Sequence, residues 1–409
     1  MKLRGSWGRL GFDGAGDFQF LSTFSFDNFY YFDNGNLRRT ISSDGLPNPN
    51  ITWEKMDIIN LGLDATLWEG QLEASFDIFK RDRFDVLGQR LLDVSPVVGA
   101  DLPQQNFREF ENRGVELSLR HNNAISSNLN YSIGGNFGIH EEIVRHTDEP
   151  DFINKEVERR EKQIGRRADP ATVTVYGGFP GQKWYYETDG LFSSQDEIDN
   201  WADIDGSGNR SIQIGDVKVI DRNGDGRITD ADKYIASSGT QPRLNFGFDT
   251  RVRWKGLELV TFWQGATKFG WNLNWSEYHE PFPSDGVALQ KDIKDSYIPD
   301  NEFGLPTVSA ADARWPRASG IIDGDYDLFL IDGTYMRLKQ IQLGYTLPLD
   351  LISRFGFRRV KLYAGGTNVV TLFNDVDFLD PEIDEDPTQF FGNYHPQTRS
   401  WNFGIEVDF

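Results

Sequence analysis

Along several long stretches of this chain every second side chain is apolar. A period of two sustained over such lengths leaves little choice but extended strands with one greasy face and one wet face. Ile59, Leu61, Leu63, Ala65 and Leu67 alternate with Asn60, Gly62, Asp64 and Thr66. After the turn at Glu69-Gly70 come Leu72, Ala74, Phe76 and Ile78 against Glu73, Ser75 and Asp77. The pattern returns at Val115, Leu117 and Leu119, and at Leu129, Tyr131, Ile133, Phe137 and Ile139. It returns again at Leu244, Phe246, Phe248 and Val252, then past Trp254-Lys255-Gly256 at Leu257, Leu259, Thr261 and Trp263. Further strands are expected over 327–346 and 358–372, and a last one closes the chain with Trp401, Phe403, Ile405, Val407 and Phe409.

A soluble sandwich also alternates, so length and loops must separate it from a barrel. Several of these patterns run 12 residues or more, whereas globular strands average about 5 to 6. Connections after Trp68, Arg120, Arg253 and Leu347 are short, and those after Phe84, Glu141, Trp271 and Phe373 are long. Outer-membrane barrels sort their loops by end in this way, and a soluble domain has no reason to. Nine strands plus one at Lys2–Leu10 are counted. The expectation is an all-β fold: an antiparallel transmembrane β-barrel of outer-membrane type, with about 10 of about 22 strands, the plug and the first half lying outside 1–409. Long extracellular loops are expected near 11–54, 85–107, 141–240, 271–326 and 373–396.

Composition agrees. Aromatics make up 14% of the chain and glycines number 41, yet mean hydropathy is −0.52, as suits strands that are apolar on one face only. There is no cysteine, so neither disulfides nor thiolate metal sites arise. A net charge of −21 argues against a nucleic-acid partner. Uncharged apolar runs fall well short of the roughly 20 residues of a membrane helix, but a spanning strand needs only about 10. Met1-Lys2-Leu3-Arg4 runs straight into strand-like sequence with no signal peptide, which an exported chain would need upstream.

Six segments in order resemble the SusC/RagA family of TonB-dependent outer-membrane transporters: Ile51-Thr52-Trp53-Glu54-Lys55 with the strand pair from Asn60 to Asp82; ENRGVELSL from Glu111; YETDGLF from Tyr186; GDVKVIDRNGDG from Gly215; YMRLKQIQLGYTLP from Tyr335; and GGTNVVTL from Gly365. The resemblance implies import of a bulky oligomer through the outer membrane. It implies energy from the inner-membrane TonB complex, reached through parts outside this sequence, and a SusD-like surface lipoprotein as lid. Glycan is the commonest cargo it implies, and peptide importers share these motifs. The alternation inward from Phe409 resembles the signal that the barrel-assembly machinery reads by edge addition.

Asp221-Arg222-Asn223-Gly224-Asp225-Gly226-Arg227-Ile228-Thr229-Asp230-Ala231-Asp232 has the spacing of an EF-hand loop. Its Ca²⁺ ligands would be Asp221, Asn223, Asp225, the carbonyl of Arg227, and Asp232, the last a shorter Asp in place of the bidentate Glu. A tight Asx turn is the competing reading, and Asp203–Asn209 is read as such a turn. The acidic stretch 375–386 is read as a solvated loop. Trp184, Tyr185 and Tyr186 are candidates for stacking on sugar rings, although interfacial girdles use the same residues. The histidines are scattered, and no nucleophile elbow or phosphate loop occurs, so no enzyme is expected. The alternative function is a secreted soluble Ca²⁺-binding, carbohydrate-binding β module, which would lack an outward apolar band.

Overall fold

A computed structural model describes residues 1–32, 36–90, 97, 99–147, 184–229, 232–235, 241–272, 294–299, 306–317, 326–375, 380–382 and 397–409. Strand β1 (Lys2–Phe12) is followed by the hairpin β2 (Phe24–Phe32) and β3 (Asn36–Ser43), then by the long strands β4 (Glu54–Leu67), β5 (Leu72–Gly88), β6 (Gln105–Ser126) and β7 (Leu129–His146). Short strands β8 (Trp184–Tyr186) and β9 (Thr188–Leu191), helix α1 (Gln195–Asp199), β10 (Val217–Val219) and β11 (Lys233–Ile235) come next. Long strands resume at β12 (Leu244–Trp254) and β13 (Leu257–Thr267). After the short β14 (Gly270–Asn272) and β15 (Leu330–Asp332) come β16 (Tyr335–Thr346), the helical turn α2 (Leu349–Ile352), β17 (Arg359–Leu372) and β18 (Ser400–Asp408).

Ten of these strands form one antiparallel sheet in the order β1-β4-β5-β6-β7-β12-β13-β16-β17-β18. Each long strand pairs with the next long strand in the chain, so the short connections gather at one end of the sheet and the long ones at the other. The two-residue hairpin β12–β13 turns on Lys255 and Gly256, both at positive φ (48° and 90°). That is the primed turn whose twist matches a right-handed strand pair. A Cβ on Gly256 would also lie 2.8 Å from the carbonyl oxygen of Thr346.

Register places the apolar positions of neighbouring strands side by side. Leu3 faces Leu63, which faces Phe76, then Leu117, Phe137 and Phe246 in turn. Lower down the sheet Leu129, Trp254, Leu257, Tyr345, Leu362 and Ile405 form another such row. Above its foot, where Val360 is buried, nothing covers this face among the described residues: Leu61 is 57% exposed, Leu343 51% and Phe403 80%. The four other sheets have two strands each, so the stacked second sheet of a sandwich is absent from the described residues. On β7 the apolar positions run from Leu129 to Ile139. Ten rises of about 3.4 Å at a tilt of about 45° give a band about 25 Å tall, the height of a lipid-facing belt. Toward the long connections the same face turns charged, with Arg9 on Asp57 (2.6 Å), Lys80 on Asp82 (2.9 Å) and Arg113 on Glu141 (2.9 Å).

The strand expected over 327–346 is two elements. A 3-10 turn at Asp327–Phe329 and β15 pair away with β14, and Thr334 donates to the Asp332 carboxylate before β16 joins the main sheet. The compact apolar core lies outside the sheet, where Leu191, Val217, Val219 and Ala310 pack with Ile204, Ile228 and Tyr326.

Candidate functional site

The other face of the sheet carries the polar half of the alternation, cross-linked by ion pairs that reach over several strands. Arg4 on β1 bonds Asp64 on β4 and Asp77 on β5, each at 2.8 Å. Arg120 on β6 holds Asp249 on β12 through both terminal nitrogens (3.0 and 2.8 Å) and donates to Ser132 Oγ on the intervening β7 (3.1 Å). Glu258 on β13 accepts from Arg253 (2.8 Å) and from Lys361 on β17. A two-pronged Arg–carboxylate pair fixes orientation as well as charge, so these ladders set a rigid hydrophilic wall.

Within that wall lies a groove of about 690 Å³ over β5, β6, β7, β12 and β13. Asp77, Glu116, Asn136, Asn245 and Gln264 line it, and Phe262, 40% exposed, adds a ring face. Carboxamides both donate and accept, carboxylates accept, and an aromatic face covers C–H surface. Such a set suits a ligand with many hydroxyls. Sequence reasoning passed over Phe262; its signal is an aromatic on the polar parity of β13, where the alternation fails.

At the long-connection end, β16 continues this face into a buried charge cluster. Arg337 Nη2 donates to Asp380 (2.8 Å) and Nη1 to Glu382 (3.0 Å), and Lys339 donates to the same Glu382 oxygen (2.7 Å). Arg337 is 5% exposed. Asp380 and Glu382 are thus anchors rather than solvated charges, which corrects the reading of 375–386 at these two positions; 376–379 and 383–386 lie outside the described residues. Tyr185 is buried at 2% and cannot stack on a sugar, and Tyr186 leans on Tyr326 with ring centroids 6.0 Å apart. The side chain of Trp184 lies outside the described residues.

Residues 221–229 fold as nested Asx turns. Asp221 accepts from the amides of Gly224 and Gly226 (2.7 Å each), Asn223 from Asp225 (2.8 Å), and Asp225 from Arg227 (2.9 Å). Asp232 is fully buried and accepts from the amides of Arg222, Asn223 and Thr229. Among the described residues no group of three or more acidic or histidine side chains converges as a metal centre would require. Asp203–Asn209 repeats the geometry: Asp203 accepts from Gly208 (3.0 Å), and Asp205 from Ser207, Asn209 and Ser211. These donors hold the Asp205 carboxyl well below the usual carboxylate range. The two turns are zipped together, since Asp203 N–H donates to Gly226 O (3.0 Å) and Ile228 N–H to Asp203 O (2.9 Å).

No family model matches the chain. Along its whole length it is 27% identical to TonB-dependent receptor P3 of Formosa agariphila, and over 88% of its length 27% identical to receptor P26 of the same organism. It is 24% identical to TonB-dependent receptor SusC of Bacteroides thetaiotaomicron, again over its whole length. The chain spans under two fifths of the length of these relatives: 39%, 35% and 37%. In fold it matches a structure of the RagAB peptide importer in its open-open state, with a TM-score of 0.68, 18% identity, and coverage of the whole of this chain and 40% of that one. The likeness to SusC/RagA-type receptors read from six motifs therefore extends across the chain.

Proposed function

Because the chain is similar end to end to TonB-dependent receptors of the SusC/RagA type, we propose that its sheet is part of the wall of an outer-membrane import barrel. Its apolar face lies in hydrocarbon, its polar face lines the lumen, and its long connections face the cell exterior. The observation that carries this reading is the uncovered apolar band bounded above by a charged rim, which a soluble module would have to bury. Cargo is a bulky, polyhydroxylated oligomer, an oligosaccharide, which the groove's carboxamides and the Phe262 ring would meet. A SusD-like lipoprotein over the long loops and energy from TonB complete the proposal, both through parts of a longer protein. For the 221–232 turn we keep Ca²⁺ as a proposal, because each carboxylate oxygen that accepts an amide retains a further lone pair.

The test is carried out in the native bacterium with the whole gene. Fractionation is expected to place the protein in the outer membrane. A deletion strain is expected to lose uptake of a fluorescent oligosaccharide of the right class and to keep uptake of labelled peptides. The reverse pattern would move the cargo to peptides, and a soluble periplasmic or secreted product would overturn the barrel reading. Calcium is checked by the thermal melt: stabilisation by millimolar Ca²⁺ over Mg²⁺, lost in Asp221→Asn, is the expected result.

A further inference from the structure

The connection between β16 and β17 differs from the other short connections. Ser127-Asn128 and Lys255-Gly256 close their hairpins with polar residues and Trp68–Gly70 closes β4–β5 with a single 3-10 turn, whereas 347–358 is longer and carries both the helical turn α2 and a 3-10 turn at Ser353–Phe355. Its apolar side chains divide sharply. Ile352 is buried, and so is Val360, which sits on the outward face because it pairs with Val407 two residues from the Leu362–Ile405 pair. α2 packs on β17, so the turn folds back over the foot of the apolar face. Leu349, Leu351 and Phe355 are left uncovered, at 59%, 61% and 75% exposed. Phe409, 77% exposed, extends the patch through its contact with Phe357 (ring centroids 5.4 Å apart).

Charge marks what this patch meets. In a chain of net charge −21, Arg354 and Arg358 stand exposed beside it with no carboxylate partner among the described residues, against the single exposed carboxylate of Asp350 on the turn, while Arg359 pairs with Glu406 and Asp408. Apolar side chains next to unpaired guanidinium groups, continuous with a lipid-facing band, fit the boundary of a phospholipid leaflet: chains below, phosphates above.

Resting on the barrel reading, we propose that the 349–358 turn is an interfacial anchor. Leu349, Leu351 and Phe355 insert into the headgroup–acyl boundary of the phospholipid leaflet at the short-turn end, and Arg354 and Arg358 contact lipid phosphate. A second protein on this patch is the competing occupant, and the test separates the two.

The chain has no cysteine of its own, so single reporters can be placed in the whole protein once any cysteine elsewhere is replaced. Leu351→Cys and Phe355→Cys, each carrying an environment-sensitive fluorophore, are reconstituted in bilayers of phosphatidylethanolamine and phosphatidylglycerol, with Phe403→Cys as the mid-band reference. The expected result is blue-shifted emission at 351 and 355, resistant to iodide and quenched more by a spin label near the headgroup than by one deep in the chains. Position 403 should show the opposite depth preference. Water-like emission at 351 and 355 with a lipid-quenched 403 overturns the anchor and leaves the barrel reading standing. Water-like emission at all three overturns both. The double variant Arg354→Gln/Arg358→Gln should sit measurably shallower than the parent with phosphatidylglycerol, and by a smaller margin in pure phosphatidylcholine, whose phosphate is offset by choline. A double variant as deep as its parent in both lipids overturns the phosphate contact.

Discussion

A single side chain in this sheet has a consequence set by its parity. Ile133 lies on the apolar face, 47% exposed, between Tyr131 and Gly135 in the middle of the β7 band. Arginine at such a position costs about 2–4 kcal/mol in a lipid-facing strand, and the same change on the lumen side costs little. Ile133→Arg should therefore destabilise the refolded whole protein in lipid, and Asn402→Arg, on the polar parity of β18 opposite Gly365, should not. Urea titration in lipid vesicles compares them, and equal costs would refute the assignment of faces. Asp205 is a residue of another kind. Its ionised form accepts from three backbone amides, so its pKa is depressed on folding. A depressed carboxylate contributes stability that is fully present above its ordinary range, about pH 4, and is lost only as pH falls through the lower folded value. Hydrogen-exchange protection over 203–211 should hold from pH 7 to 5, and Asp205→Asn should remove it at both.

Elements were legible where one physical rule decided them. Period two over a half-buried surface fixed the ten long strands, because Leu61 or Phe76 on the wrong parity would exchange hydrocarbon for water. What escaped reading has a different cause. The register shift between Phe262 and Trp263 against Gln340 and Leu338 adds Lys339 to one strand, and no local pattern announces an unpaired residue. The β2–β3 hairpin lies inside the 11–54 stretch expected as a loop, and the short pairs β8–β11, β9–β10 and β14–β15 are set by contacts distant in sequence. Asp327 shows why: it accepts from the Thr188 amide (3.0 Å) and from the Tyr234 hydroxyl (2.7 Å), and so ties together segments more than 90 residues apart. Burial and that carboxylate also push the Tyr234 hydroxyl well above its ordinary pKa, so it stays a donor. Asp327→Ala leaves those donors without their acceptor, at a cost of about 1–3 kcal/mol. Faster hydrogen exchange at 184–191 and 233–235, with the long strands unchanged, is the expected signature. The turn motifs at 203 and 221 were visible singly, but their pairing through Gly226 and Ile228 was not, since each closes on its own amides.

At the scale of the whole molecule, the proposed barrel reading has the sheet separate two environments, and cargo then contacts only one of them. The groove on the polar face is floored by rigid strands whose ion-pair ladders, Arg4–Asp64–Asp77 and Arg120–Asp249, hold the spacing of its donors and acceptors. A flexible oligosaccharide loses conformational freedom on binding, so a preformed wall gains affinity mainly by not having to order itself as well. Phe262 offers a ring face to C–H groups and Asn136 a carboxamide to hydroxyls. Loss of either should weaken binding by about 1–2 kcal/mol, roughly 5- to 30-fold. Phe262→Ala and Asn136→Ala in the whole protein should raise the cargo concentration needed for half-maximal uptake while leaving the amount in the outer membrane unchanged. Ile133→Ala, on the same strand but on the apolar parity and away from the groove, should alter stability and leave that concentration alone. If all three variants shift uptake alike, the groove is not where cargo touches the wall, and binding belongs to the loops above it.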